Sequence, residues 1–422
     1  MKRLILNATY LRGASLEWDK GTILIEDGVV ETIGQDQCEK VMAEVDEVID
    51  ANGWIGIPAF ADLHVHFREP GFEAKETLET GLRAAEKGGF TLVAAMPNTK
   101  PPLDSSECIE ALVEKAKGLS SVEFLQFAAV TLGQKGETVV DVEALAAKNL
   151  KLFSEDGHEV QSPERFKEAL VRVDKVGGLV VTHCEDHPLT AQFKDAPYPP
   201  EGEWHMVKRD IELAAETQTR LHLAHLSTRE SIELVRTAKA EGVRVTSEVA
   251  PHHLFFNADQ LNFSTAFYKV NPPLRGEKHI AALIDGIKDG TVDMIASDHA
   301  PHEIESKHCP YAQGSYGFSG LEYSFSAAHT ALRANGISIR RLVKLVSFAP
   351  RNLIGREDNI IENQRFADLV FVNLDEKFTI KEEDLVSKGK NCPYIGHEMT
   401  GAVKCVILGD QVIYRSDEKN VR

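Results

Sequence analysis

A chain of 422 residues with 43% hydrophobic content can bury a large core, and its length suits one big domain with a smaller companion. A formal net charge of −18 argues against nucleic-acid and membrane-surface partners, because both are polyanionic and no run of Lys or Arg supplies a basic patch. The chain also lacks the roughly eighteen consecutive apolar residues of a spanning helix, its start MKRLILNATYLRGAS is too briefly apolar for a signal peptide, and its six cysteines (Cys38, Cys108, Cys184, Cys309, Cys392, Cys405) are scattered without a CxxC pair, so a protein with reduced thiols in the cytoplasm is expected.

From Leu4 to about Asp50, short β-type runs (Thr22–Ile25, Val29–Ile33, Glu47–Ile49) alternate with turn signals such as Glu26-Asp27-Gly28, which predicts a small antiparallel sheet without a core of its own. Strand-like apolar runs then alternate with helix-length amphipathic stretches. The runs are Ile57–Phe67, Thr91–Met96, Phe124–Thr131, Leu150–Phe153, Leu179–His183, Leu221–Leu226, Val243–Val249 and Val292–Ser297, eight in all, the rhythm of a βα barrel. Ser162-Pro163-Glu164 reads as a helix N-cap followed by proline at the first helical position, and Gly177-Gly178 as the stop before the next strand. A Gly/Ser/Tyr-rich stretch, Tyr311–Gly320, follows the last strand and is a candidate active-site loop. β-type runs return at 367–372 and 405–414. The expected fold is α/β: a (β/α)8 TIM-type barrel over residues 56–359, with a small β-sandwich domain built from both chain ends, residues 1–55 and 360–422.

In such barrels the chemistry gathers where the strands exit at their C-terminal ends. The first run ends in Ala61-Asp62-Leu63-His64-Val65-His66, and because side chains alternate along a strand, His64 and His66 face the same way and can share a metal. The fourth run leads into Glu155-Asp156-Gly157, the fifth into His183, the sixth into His225 and the eighth into Asp298-His299. Imidazoles and carboxylates suit zinc or a similar divalent ion, and no cysteine stands where it would complete the set. Two histidines alone could simply be satisfied at a barrel mouth; the same chemistry at five strand exits predicts a metal site.

These residues fall within HVHFREPG (64–71), MPNT (96–99), HCED (183–186), AHLST (224–228), NPPLR (271–275) and SDHAPH (297–302), and through them the chain resembles, nearly end to end, the bacterial dihydroorotases of the amidohydrolase superfamily. HxH and DHAPH recur widely among relatives, whereas their combination with FREPG and NPPLR is narrower. The resemblance implies two divalent metal ions, zinc being the expected one: His64, His66 and Asp298 hold the first, His183 and His225 the second, and Asp156 bridges them. It implies reversible cyclisation of N-carbamoyl-L-aspartate to L-dihydroorotate plus water in de novo pyrimidine (UMP) synthesis. By the same likeness Arg68, Asn98 and His302 hold the substrate carboxylate and Asn271 lies beside the ring.

The chemistry is consistent with elementary principles. Two divalent ions sharing a hydroxide lower its pKa from about 15.7 towards about 7, and a neighbouring carboxylate, for which Asp298 is the candidate, can take its proton and return it to the leaving nitrogen. A guanidinium can grip both oxygens of a substrate carboxylate. Arg68 could instead pair with Glu69 or Glu73, Asn98 could cap the helix after Pro101-Pro102, and Asn271 could shape a turn. His222 should face away from His225 and pack against a helix, His252 and His253 suit loop packing or contact with a ligand, His299 should face away from Asp298, and Cys184 should point away from the site.

Glu155 stands where many relatives have aspartate, Asp195–Trp204 matches the family poorly, and Asn363-Gln364-Arg365-Phe366 replaces a glycine-containing turn. Lys151 is an alternative bridge if carboxylated, as in other branches of the superfamily. The rival enzyme is a hydantoinase or allantoinase, against which Arg68 argues because those rings lack the carboxylate. The rival from another class is a non-catalytic scaffold partner of aspartate transcarbamoylase, against which the complete ligand set argues. A homo-oligomer, a dimer, is expected, and a complex of the active enzyme with aspartate transcarbamoylase is a further expectation.

Overall fold

The computed structural model describes residues 1–33 and 41–417, so Cys38 lies outside the described residues; the other five cysteines are free thiols. Eight parallel strands form the barrel: Phe60–Val65, Phe90–Ala95, Glu123–Gln126 continued by Ala128–Ala129, Leu152–Ser154, Leu179–Thr182, Leu221–Leu223, Val245–Val249 and Met294–Ile295. A parallel bridge between Val65 and His299 closes the ring. The strands are short and buried on both faces, as a sheet wrapped by helices requires. Ala61, Leu63, Leu92, Ala94, Met96, Phe127, Val181 and Met294 belong to the packed interior, so the barrel is filled rather than hollow.

The helices begin where the side chains supply caps. Ser162 accepts from the Arg165 amide and Pro163 opens the helix Pro163–Lys175, while Thr77 and Thr80 form a reciprocal cap on Leu78–Gly88. Gly177 takes a φ of 68°, a left-handed conformation that turns the chain towards the next strand.

The remaining strands make one eight-stranded sheet from both chain ends. Ile55–Pro58 pairs antiparallel with Asp368–Thr379, which joins the N-terminal and C-terminal segments, and Ile5, Ile25, Ile49, Leu369, Phe371 and Ile407 share a core. Two expectations need correction. The predicted strand Ile57–Phe67 is two strands: residues up to Pro58 pair with the end sheet, and the barrel strand starts at Phe60. The N-terminal sheet is mixed rather than antiparallel, because the free edge of Lys2–Arg12 takes its backbone partners from Glu47–Asp50 and Ile55–Pro58, both parallel to it.

Candidate metal centre and substrate pocket

The strand exits converge as the alternation requires. His64, Asp156 and His225 present ligand atoms within 4.8 Å of one another, and so do His64, His66 and Asp298. Asp156 lies between all four imidazoles, with Oδ1 at 3.3 Å from His64 Nε2, 3.6 Å from His183 Nδ1 and 3.6 Å from His225 Nε2, and Oδ2 at 3.4 Å from His66 Nε2. Asp298 Oδ1 is 3.3 Å from His66 Nε2 and 3.7 Å from His64 Nε2. His64 Nε2 and Asp156 Oδ1 are buried and make no hydrogen bond. Such atoms are costly to bury unless a cation satisfies them, so the donor set fits divalent metal ions.

The electrostatics follow from burial and crowding. Burial alone would raise Asp156 and Asp298, but His64 and His225 hold the first, and His66, His64 and His225 the second, below the usual carboxylate range. Burial would lower His183, but Glu185 and Asp156 raise it to about 9. His225, Asp298 and Arg68 adopt φ of 33°, 47° and 61°, left-handed values that cost a non-glycine residue roughly 1–3 kcal/mol and cluster at functional sites.

A layer of supporting residues orients the imidazoles; sequence reasoning missed Glu248 and Glu185 in this role and named Asn98 only for the substrate. Glu248, on the seventh barrel strand, bonds His64 Nδ1 at 2.7 Å and His222 Nε2 at 3.1 Å. Glu185 bonds His183 Nε2 at 3.0 Å, leaving Nδ1 to face Asp156. Asn98 Oδ1 accepts from His66 Nδ1 at 2.8 Å and its Nδ2 donates to Asp156 at 3.2 Å. The rings of His64, His66 and His183 each have one nitrogen turned to the cluster and the other held by a partner, which fixes tautomer and orientation. A buried acidic residue on a barrel strand was the available signal for Glu248.

A cavity of about 180 Å³ opens beside the cluster, lined by Arg68, Asn98, Asn271 and His302 together with Tyr316 and Gly317 from the predicted loop. Arg68 pairs with neither Glu69 nor Glu73: Nε donates to the Pro301 carbonyl at 3.2 Å, Nη2 lies 3.2 Å from His302 Nε2, and no described carboxylate reaches ion-pair distance. Burial lowers its pKa to about 10, so it stays cationic at neutral pH. His302 Nε2 donates to the Tyr316 carbonyl at 2.6 Å, and its Nδ1 is buried without a partner. Asn271 donates to Glu185 at 2.7 Å and accepts from the Tyr198 hydroxyl at 2.7 Å. Tyr198 lies within Asp195–Trp204, so that divergent stretch supports a pocket residue instead of being a detached loop.

Other candidates lie apart from the cluster. His222 is inside the barrel, bonded to Glu248 and Thr246, rather than against a helix as expected. His253 bonds the Pro272 carbonyl and His299 bonds Glu76. Burial pushes the Cys184 thiol far up, so it is no nucleophile. Lys151 sits at the opposite end of its strand from Asp156, in a pocket with Glu110 and Lys148. Glu155 turns away to accept from the Val130 and Thr131 amides at 2.9 and 3.0 Å, which leaves Asp156 facing the cluster.

Among solved structures, L-hydantoinase from Arthrobacter aurescens shares the fold with a TM-score of 0.88 at 23% identity, over 99% of this chain and 96% of that one. Dihydropyrimidinase from Brevibacillus agri NCHU1002 does so with a TM-score of 0.85, also at 23% identity, over 98% and 95%. The fold and the clustered imidazoles and carboxylates at its strand exits define a barrel of the amidohydrolase class. The family model described as Dihydro-orotase-like matches residues 53–231. Over 433 aligned residues the chain is 39% identical to the dihydroorotase of Caldanaerobacter subterraneus subsp. tengcongensis and 37% identical to that of Thermoanaerobacter sp. (strain X514), covering 99% of each chain in both comparisons. The chain belongs to the dihydroorotase family.

Proposed function

We propose that the protein interconverts N-carbamoyl-L-aspartate and L-dihydroorotate plus water, the ring-closing step of de novo pyrimidine synthesis. The observation that carries this reading is Arg68, a cationic guanidinium without a carboxylate partner on the rim of the imidazole–carboxylate cluster. A free carboxylate on the substrate is the natural occupant of that position.

Two zinc ions are the proposed cofactors: His64, His66 and Asp298 would hold one, His183 and His225 the other, and Asp156 would serve both. When bound, such ions lower the pKa of water from about 15.7 towards about 7 and polarise the amide carbonyl. The side chains do the rest. Arg68 draws in the substrate carboxylate, and a carboxylate there competes with the Tyr316 carbonyl for the His302 Nε2 proton. Asn98, held between His66 and Asp156, and Asn271, held between Tyr198 and Glu185, line the cavity and offer their amides to the substrate. Asp298 is kept deprotonated by its imidazole neighbours, so it can accept a proton from the attacking water through Oδ and deliver it to the departing ring nitrogen. In the direction of ring closure the same carboxylate takes the proton from the attacking carbamoyl nitrogen. We also propose a cytoplasmic location, a homodimer and a complex with aspartate transcarbamoylase.

The deciding experiment is ring opening of dihydroorotate by the zinc-loaded protein, followed by ultraviolet absorbance, with hydantoin and allantoin as parallel substrates. Turnover of dihydroorotate alone supports the reading. Turnover of the other rings reassigns the substrate, and inactivity on all three leaves the scaffold role.

A further inference from the structure

Between the strands Asp368–Thr379 and Glu398–Leu408 the chain leaves the end sheet and reaches the exit face of the barrel. There Asn391, 1% exposed, is held among groups that belong to the substrate pocket. Its Oδ1 accepts from the His302 amide at 2.9 Å, its Nδ2 donates to the Gly317 carbonyl at 3.2 Å, and its own carbonyl accepts from the Ser319 amide at 3.1 Å. His302 in turn donates from its ring to the carbonyl of Tyr316, the residue before Gly317. The four groups make a closed circuit: Asn391 to the His302 backbone, through the ring to Tyr316, along the chain to Gly317, and back to Asn391. His302, Tyr316 and Gly317 all line the cavity that Arg68 also lines.

We propose that Asn391 is a positioning residue for substrate binding, fixing His302 against the Tyr316–Gly317 segment so that the substrate carboxylate meets Arg68 and His302 together. This rests on the dihydroorotase reading above. The side chain suits the task because its amide offers an acceptor and a donor in one fixed plane; the acceptor must face an N–H and the donor a carbonyl, so its orientation is determined. The surrounding packing leaves little slack. A Cβ on Gly389 would come within 2.6 Å of Pro301 Cβ and 3.0 Å of Asn391 Oδ1, and a Cβ on Gly317, whose φ is 108°, within 2.4 Å of Ala300 Cβ. Arg68 Nε is anchored on the Pro301 carbonyl, so the segment 389–391 backs the residue that holds the guanidinium as well as His302.

The test is Asn391→Asp, nearly isosteric, which keeps the acceptor for His302 and sets an oxygen against the Gly317 carbonyl. The expected result is a rise in KM for dihydroorotate of about tenfold with kcat within about threefold, since the interaction serves substrate binding rather than the bond-breaking step. Bound metal should stay at the unsubstituted level. In a double-mutant cycle with His302→Ala the two effects should be strongly non-additive, which a merely structural loss would not produce. Gly389→Ala, which pushes on the same amide from behind, should give the same KM-weighted change and serves if the aspartate variant does not fold. An unchanged KM, equal losses in kcat and KM, or additive effects would overturn the positioning role while leaving the activity in place. Absence of dihydroorotate turnover by the unsubstituted enzyme would bring down the functional reading and this inference with it.

Discussion

Arg68 and Glu248 show how single residues carry opposite duties. Arg68 has no internal counter-charge, so its truncation strands no carboxylate, frees only the Pro301 carbonyl, and should act mainly on substrate. Hydrogen bonds to a charged group contribute roughly 1.5–3 kcal/mol, so Arg68→Ala should lower kcat/KM for dihydroorotate by about 10- to 100-fold, mostly through KM, with metal content unchanged. Lysine at this position keeps the charge but loses the planar fork and should recover only part of the loss in the same assay. Glu248 instead serves His64. Glu248→Gln should weaken zinc binding by about 10- to 100-fold, read by competition with a chelator. Burial would raise the Glu248 carboxyl, yet His64 and His222 bring it down from 4.5 to about 2. A carboxyl whose folded value is depressed contributes stability that is present above its unfolded value and lost as pH falls towards the folded one. The metal-free protein should therefore lose stability between about pH 4.5 and about pH 2, and Glu248→Gln should flatten that part of the denaturation profile.

At the scale of elements, the first barrel strand and the helix after it are locked together beside the cluster. A Cβ on Gly81, in the helix Leu78–Gly88, would lie within 2.5 Å of the Phe67 ring, and Phe67 directly follows His66. Gly81→Ala must push that ring aside, at a cost of about 1–3 kcal/mol for overpacking. The expected outcome is a lower melting midpoint together with weaker metal binding, because displacement of Phe67 is transmitted to its neighbour; a lower midpoint with unaltered metal affinity would separate the two. Strand exits were legible from the sequence because alternation is local: His64 and His66 must face one way whatever the rest of the chain does. The break at Ala59 was not legible, since Ile55–Pro58 and Phe60–Val65 read as one apolar run and part company only because their partners lie in different sheets.

For the molecule as a whole, the cluster concentrates two carboxylates and four imidazoles in a buried mouth, a grouping that depends on cations to be satisfied. Exhaustive chelation should abolish ring opening and lower the thermal midpoint, and zinc should restore both; a midpoint indifferent to chelation would sink the proposed metal centre. With a net charge of −18 the surface repels other acidic proteins, so association with aspartate transcarbamoylase requires a specific interface. Gel filtration of the mixture should show co-elution if that complex forms, and separate elution would dispose of it.

The sequence by itself determined the eight-beat alternation of strand and helix, the joining of both chain ends into a sheet, and the His and Asp residues at the exits, because these follow from periodicities of two and 3.6 residues and from short motifs. Only the tertiary structure decided which residues stand behind them. Glu248 behind His64, Tyr198 behind Asn271 and Asn391 behind His302 are brought together across strands and loops, in the case of Asn391 over 89 residues of sequence. No local pattern marks such pairs, for a hydrogen bond between distant segments exists only once the barrel has closed and its neighbours have been chosen.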